Sequence, residues 1–202
     1  MKVTRAQAEA NRQRVIETAG RLFRERGIDG VGLNDLMQTA GLTRGGFYGQ
    51  FDSKLDLTVQ AMDRAKEVNQ ERWSKLRYLP PEQAREKLVR GYLSDYHVQN
   101  PGDGCVLAAL GGDTMRQPDE VRATYTDNVR RLLDLIGEFS EGKVDVERQQ
   151  QAMVTLSLLV GAIVLSRAVN DDNLSGELRE AAISSLLKPE QGLKPSAMPQ
   201  AG

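Results

Sequence analysis

The 202-residue chain has one cysteine, one histidine, one tryptophan and 5% aromatic residues. A single cysteine excludes an internal disulfide and any thiolate-based metal cluster, and a single histidine further weakens any metalloenzyme reading. No metal and no cofactor are therefore expected. Residues Arg148 to Arg167 bracket the only long uncharged run. It opens on three glutamines and carries Thr155 and Ser157, so its apolar part is shorter than a bilayer span, and no membrane association is expected. The first apolar stretch is an arginine-containing amphipathic pattern rather than a leader sequence, and cytoplasmic residence is the expectation. Alternation of period two is missing throughout, which argues against strands.

What is present is the helical period, and it predicts an all-α fold of about nine helices. The first spans about 5–26, with Val15, Ile16, Ala19, Leu22 and Phe23 on one face and Arg12, Arg14, Arg21 and Arg24 open to solvent or phosphate. Gly27 ends it. A short helix over 34–40 follows, then a turn at Gly41. A third helix is expected to start from Thr43 as N-cap and to be anchored by Phe47 and Phe51. A fourth runs from Asp52-Ser53 to about Tyr78, where Pro80-Pro81 breaks it. The fifth to seventh are expected over 82–98, 105–115 and 118–139. The last two are expected over 146–169 and 175–187. Pro189, Pro195 and Pro199 mark 189–202 as a disordered tail.

The most informative stretch is Gly41-Leu42-Thr43-Arg44-Gly45-Gly46-Phe47-Tyr48-Gly49-Gln50-Phe51. A short glycine-rich helix with small or polar outward positions makes a poor core and fits a DNA groove. Backbone N–H groups at its start favour phosphate, and Gly45 and Gly46 let the backbone come close. Arg44 suits guanine or phosphate, Gln50 adenine, and Tyr48 a phosphate oxygen. Lys54 would meet the flanking backbone. Net charge is −1 overall, yet residues 1–60 carry nine basic and seven acidic side chains, and the first 26 carry seven against three. The basic end thus holds the groove-reading segment, as counter-ion release requires. The competing reading is a helical hairpin with a solvated polar face. The turn glycine, capping threonine, aromatic anchors and basic leading helix in combination weigh against it.

Residues 12–60 resemble the N-terminal domain of the TetR/AcrR family of transcriptional regulators. The matching residues are Ala-Gly-Arg-Leu-Phe at 19–23, Gly27, Gly30-Val31 and AGLTRGGFYGQFDSKLDL at 40–57. The resemblance implies a three-helix DNA-binding head (1–52) and an all-helical ligand-binding and dimerisation body (53–188). It places Thr43, Arg44, Gly45, Tyr48 and Lys54 at or near DNA. It also implies a repressor released from its operator by a small molecule. Many members carry a larger residue where Gly49 stands here, which shifts readout toward Arg44 and Gln50.

The body's effector cannot be read from the sequence. Trp73, Tyr92, Tyr96, His97, Met115, Tyr125 and Met153 are candidate pocket linings, each competing with ordinary core packing. Cys105 follows Asp103-Gly104, a capping context that puts it in the first turn of a helix. There the dipole favours thiolate and reaction with an electrophile or oxidant, although Asp103 opposes that charge. The eighth helix is apolar on nearly all sides, so one side is expected to meet a second copy of the chain, with Gly161 and Ala162 permitting close approach. The expected partners are a palindromic duplex operator, a homodimer through 146–169 and 175–187, and an unidentified small molecule. An activator or a binder that is not ligand-gated is the alternative. An all-helical enzyme ranks third, since His97 and Cys105 lack an orienting partner.

Overall fold

A computed structural model describes residues 4–139 and 144–187, all helices and connections. The expected tail, 189–202, lies outside the described residues. Helix α1 (Arg5–Arg26) starts at Thr4, whose hydroxyl accepts the Gln7 N–H. Its inward face is the expected one: Val15, Ile16, Ala19, Leu22 and Phe23 are all buried. Gly27 ends it at φ +79°, a conformation glycine adopts without strain. Helix α2 (Leu33–Thr39) buries Leu36 and Met37 and ends near Gly41, at φ +72°.

The expected third helix is shorter than its pattern suggests. It consists of a 3-10 turn, Arg44–Gly46, continued by bonds from Gln50 and Phe51 N–H to the Phe47 carbonyl. Three glycines in five residues supply the reason, since each lowers helix propensity by about 1 kcal/mol relative to alanine. Thr43 sits at its cap position, but its side chain makes no capping bond. Two buried rings hold the segment instead: Phe47 and Phe51 stack at 5.4 Å.

Helix α3 (Lys54–Ser74) opens with a reciprocal cap. Ser53 Oγ accepts the Asp56 N–H at 3.0 Å, and Asp56 accepts the Asp52 N–H at 3.2 Å. It packs on α1 at one end and on α7 at the other. A 3-10 turn over Lys75–Tyr78 follows. The helix expected over 82–98 is two helices, α4 (Pro81–Tyr92) and α5 (Asp95–Gln99). Ser94 caps the second by accepting the His97 N–H, and this restart separates the two axes. A 3-10 turn at Pro101–Asp103 leads to α6 (Val106–Thr114) and α7 (Asp119–Glu138).

Helices α8 (Asp145–Ala168) and α9 (Asp172–Leu187) form a hairpin. Ser166 and Ser175 hydroxyls each donate to the other's carbonyl at 3.0 Å. Helix α9 begins one turn earlier than the pattern suggests, because Asp171 Oδ1 accepts the N–H groups of Asn173 and Leu174. By length and composition α8 is long and apolar enough to cross a membrane, contrary to the expectation from its glutamine-rich start. In the fold it packs against α7, α9, α6 and α5 along one side.

Candidate DNA-reading head and body cavity

The head presents two kinds of side chain. Thr43, Arg44 and Gly45 are exposed, and Tyr48 is 64% exposed despite lying edge-on to Phe47 at 5.3 Å. The Arg44 guanidinium has no ion-pair or hydrogen-bond partner among the described residues. Gly46 is half-buried. Gln50 and Lys54 are turned inward. Gln50 Nε2 donates to the Gly46 carbonyl at 3.1 Å, and its buried Oε1 has no partner. Lys54 Nζ donates to the Ile28 carbonyl at 2.7 Å and sits 5.9 Å from the centre of the Phe23 ring. Both bonds hold the turn and the α1–α2 connection in place. A base contact from Gln50, or a phosphate contact from Lys54, would have to exchange them.

Of the arginines expected to be free on α1, three are engaged, Arg21 in an exposed pair with Glu25 at 3.1 Å. Arg12 donates to Gln60 and lies over the Phe51 ring at 5.2 Å. Arg24 is mostly buried and donates through Nε to the Gly102 carbonyl at 2.8 Å, with its Nη2 on the same oxygen. Burial pulls its pKa below the usual value, and Asp103 opposes that. Two further bonds cross the same seam. Asp113 accepts the Ile28 N–H at 2.9 Å, and Gln117 donates to Asp29 at 3.0 Å. The end of α1 is thereby tied to the 101–103 turn and to α6.

The other side of that turn faces a cavity of about 280 Å³. Trp73, Tyr92, Tyr96, His97 and Cys105 line it, together with apolar groups from α6 and α7. The remaining three candidates are not among its lining residues. Met115 is 75% exposed, and Met153 is exposed on α8. Tyr125 is half-buried and donates to the Leu107 carbonyl at 3.0 Å. A helical period places all of them on plausible faces; only the path of the chain between helices sorts them.

His97 is fixed by two backbone groups. Its Nε2 accepts the Cys105 N–H at 2.9 Å, so the ring proton is on Nδ1 and donates to the Tyr92 carbonyl at 2.6 Å. Burial pushes its pKa down to about 4, despite the Tyr92 carbonyl, and Arg167 and Arg72 act in the same direction. The ring therefore contacts the Cys105 backbone and not its thiol, and it is neutral at pH 7. Cys105 is the N-cap residue of α6, not part of its first turn, and makes no side-chain cap bond. The Tyr92 hydroxyl is buried, makes no hydrogen bond to an oxygen or nitrogen among the described residues, and has the weakly polar Cys105 thiol as its neighbour. Its titration is pushed well up by burial, then by the neighbouring Cys105.

Sequence reasoning missed Arg72 and Arg131 at the cavity and Arg167 behind His97, where it donates to the His97 and Val98 carbonyls. Charged residues on amphipathic helices read as solvated surface, so no local signal marks them.

A glycine-rich turn anchored by two phenylalanines, carried on a basic helix and joined to a hollow helical body, defines a helix-turn-helix DNA-binding regulator. Residues 15–61 match the family model described as "Bacterial regulatory proteins, tetR family". The chain is 35% identical over 176 residues to the "Probable HTH-type transcriptional regulator ArpR" of Pseudomonas putida, covering 87% of this chain and 73% of that protein. The chain belongs to the TetR family of transcriptional regulators, whose members bind operator DNA as dimers and are not enzymes. It is also 24% identical over 161 residues to the HTH-type transcriptional repressor NemR of Escherichia coli K12, covering 75% and 81% of the two chains. A solved structure described as E. coli NemR in its reduced form superposes with a TM-score of 0.75 at 20% identity, covering 88% of this chain and 95% of that one. AibR, solved in complex with isovaleryl coenzyme A and operator DNA, superposes with a TM-score of 0.64 at 15% identity, covering 89% and 100%.

Proposed function

We propose that this protein is a dimeric, cytoplasmic repressor that releases a palindromic operator when a small molecule enters the body cavity. In this reading residues 1–52 form the reading head and 53–188 the body. Thr43, Arg44, Gly45, Gly46 and Tyr48 meet DNA directly. Gln50 and Lys54 join them by exchanging their internal bonds. Arg44 reads a base or phosphate at the groove edge.

The observation that carries the reading is the shared 101–105 segment. Its Gly102 carbonyl is held by Arg24 of the head, while Asp103, Gly104 and Cys105 line the cavity. A ligand that prefers one position of this segment biases the position of α1, and so the spacing of the two heads. The operator affinity changes only by the ligand's differential affinity for the two arrangements. AibR, which shares the fold, was solved with both isovaleryl coenzyme A and operator DNA, and this supports a fold that can hold both.

The second copy of the chain has a surface to meet. Met153, Val154, Ser157, Val164, Leu165 and Ala168 are exposed along α8 at helical spacing. Gly161 lies between them, and a Cβ built on it would meet nothing within 4 Å. Such a stripe on one side of an otherwise packed helix supports an isologous α8–α9 interface.

A second reading concerns the trigger. Cys105 lines the cavity, and NemR is described in a reduced form, so an electrophile adding to Sγ would occupy the same space covalently. Cys105→Ser would then abolish the response to a thiol-reactive compound and spare the response to reversible ligands.

The release reading is tested by titrating a compound panel against protein bound to its selected operator. Trp73, the sole tryptophan, reports cavity occupancy by fluorescence. Compounds that quench Trp73 are expected to weaken the operator complex in parallel. Compounds that quench Trp73 fully and leave operator affinity unchanged would contradict the reading.

A further inference from the structure

We infer that the cavity takes an apolar monocarboxylate, with its anionic head between the Tyr92 hydroxyl and the N-terminus of α6. The inference rests on the ligand-release reading and adds the chemical class of the ligand.

Three independent features converge on that corner. The first is an unsatisfied donor. Tyr92 is 3% exposed, lines the cavity and has a hydroxyl with no oxygen or nitrogen partner among the described residues. Burial holds that hydroxyl protonated, so it offers a proton to an acceptor. Its own fold supplies only the neighbouring Cys105 thiol, a weak acceptor.

The second is the start of α6, which spans nine residues. Cys105, Val106 and Leu107 at this end line the cavity. No side chain caps the helix, and its first turn holds no acidic residue. The Cys105 N–H is taken by His97, while the amides of the following turn are the groups that a helix start presents to an anion.

The third is charge. Some ionised groups around the cavity are matched. Lys66 pairs with Asp63, and Arg77 makes a two-pronged pair with Glu138. Asp103 accepts the Tyr96 hydroxyl and faces Arg24. Arg131 forms no ion pair among the described residues, and the equally unpaired Asp134 of the same helix offsets its charge. Two further cations have no carboxylate partner. Arg72 lines the cavity and forms no ion pair among the described residues. Arg167 rests only on the His97 and Val98 carbonyls, and the Tyr92 hydroxyl and Cys105 thiol lie within its field. The corner is therefore positive and rich in donors, next to a wall formed by Trp73, Val106, Leu107, Leu132 and Leu135. A neutral hydroxyl with helix amides, and only carbonyl-bound or solvated guanidiniums, matches a single negative charge better than a phosphate dianion. The apolar wall selects a hydrocarbon or aromatic body.

The test uses matched pairs that differ only in charge: benzoate and benzamide, 3-phenylpropanoate and 3-phenylpropanamide, 5-phenylpentanoate and its amide. Full-length protein is titrated with each and Trp73 fluorescence is read. In at least one pair the carboxylate is expected to bind about tenfold or more tightly than the amide. Tyr92→Phe, which removes only a buried hydroxyl without an oxygen or nitrogen partner, is expected to fold normally and to cut that ratio severalfold. Equal or tighter binding of every amide, no binding in any pair, or a ratio unchanged in Tyr92→Phe would each overturn the inference. An operator-bound arm separates the two readings. Carboxylates that bind but leave the operator complex intact would sink the release reading and keep the ligand class. Amides that release the operator where carboxylates do not would do the reverse.

Discussion

Arg24, on the last turn of α1, donates its Nε–H to the carbonyl of Gly102 at 2.8 Å, and this bond ties α1 to the turn that leads into the cavity-lining residues Asp103, Gly104 and Cys105. A side chain at Gly102 would force Arg21 and Glu25 to move, since a Cβ would lie 2.8 Å from Arg21 Cγ. Arg24 and Gly102 are 78 apart in sequence, and the contact between them is one that neither local pattern announces.

Breaking this seam has a defined cost. Arg24→Met keeps most of the side-chain volume but leaves the part-buried Gly102 carbonyl without its donor. Unfolding in urea is expected to show a loss of about 1–3 kcal/mol. Unchanged stability would mean that the seam is not held by this bond.

The head separates two arginine and lysine roles that the sequence treats alike. Arg44 is exposed and unpartnered, so Arg44→Ala is expected to leave the melting temperature unchanged. It should weaken binding to the cognate operator by about 1–3 kcal/mol. Lys54 is bonded to the Ile28 carbonyl, so Lys54→Ala is expected to cost stability, by about 1 kcal/mol, as well as weakening binding to all duplexes. Thermal melts and gel shifts on the same preparations distinguish the two. Equal effects of both variants on stability would contradict the geometry.

Much of this architecture is legible in the sequence, for particular reasons. The α1 stripe, Gly27, the Ser53–Asp56 cap and the Phe47/Phe51 anchors are local patterns, and local patterns determine helices. Propensity misled at two places. The glycines at 45, 46 and 49 reduce the third helix to a turn, and Ser94 restarts what looks like one helix over 82–98. The cavity was half legible. Trp73, Tyr92, Tyr96, His97 and Cys105 come together, while Tyr125, Met115 and Met153 do not. Which aromatic or methionine faces a void depends on how helices cross, and that is set by tertiary packing.

His97 makes stability depend on pH. Its folded pKa, about 4, lies below the ordinary value of 6.5. The folded state therefore resists protonation. The contribution is fully present above pH 6.5 and is lost as pH falls from there toward 4, about 3 kcal/mol over the window. Protonation also removes the acceptor for the Cys105 N–H. Urea unfolding of His97→Gln is expected to fall less steeply than wild type between pH 6.5 and 4. Parallel curves would show that the histidine is not held neutral.

The exposed α8 stripe predicts an assembly defect. Leu165 is 52% exposed on this chain alone and is covered in the proposed dimer. Leu165→Glu is expected to convert dimer to monomer by light scattering without unfolding the protomer. It should also reduce affinity for a two-half-site operator far more than for a single half-site. A dimer that persists unchanged would place the interface elsewhere.

The most direct test of the central claim, that the Gly41–Phe51 turn reads specific duplex DNA from two symmetric heads, is selection of binding sites from random duplexes with the purified protein. A palindromic consensus that Arg44→Ala no longer enriches is expected. A folded, dimeric protein that enriches no sequence, or an asymmetric consensus indifferent to Arg44, would contradict it.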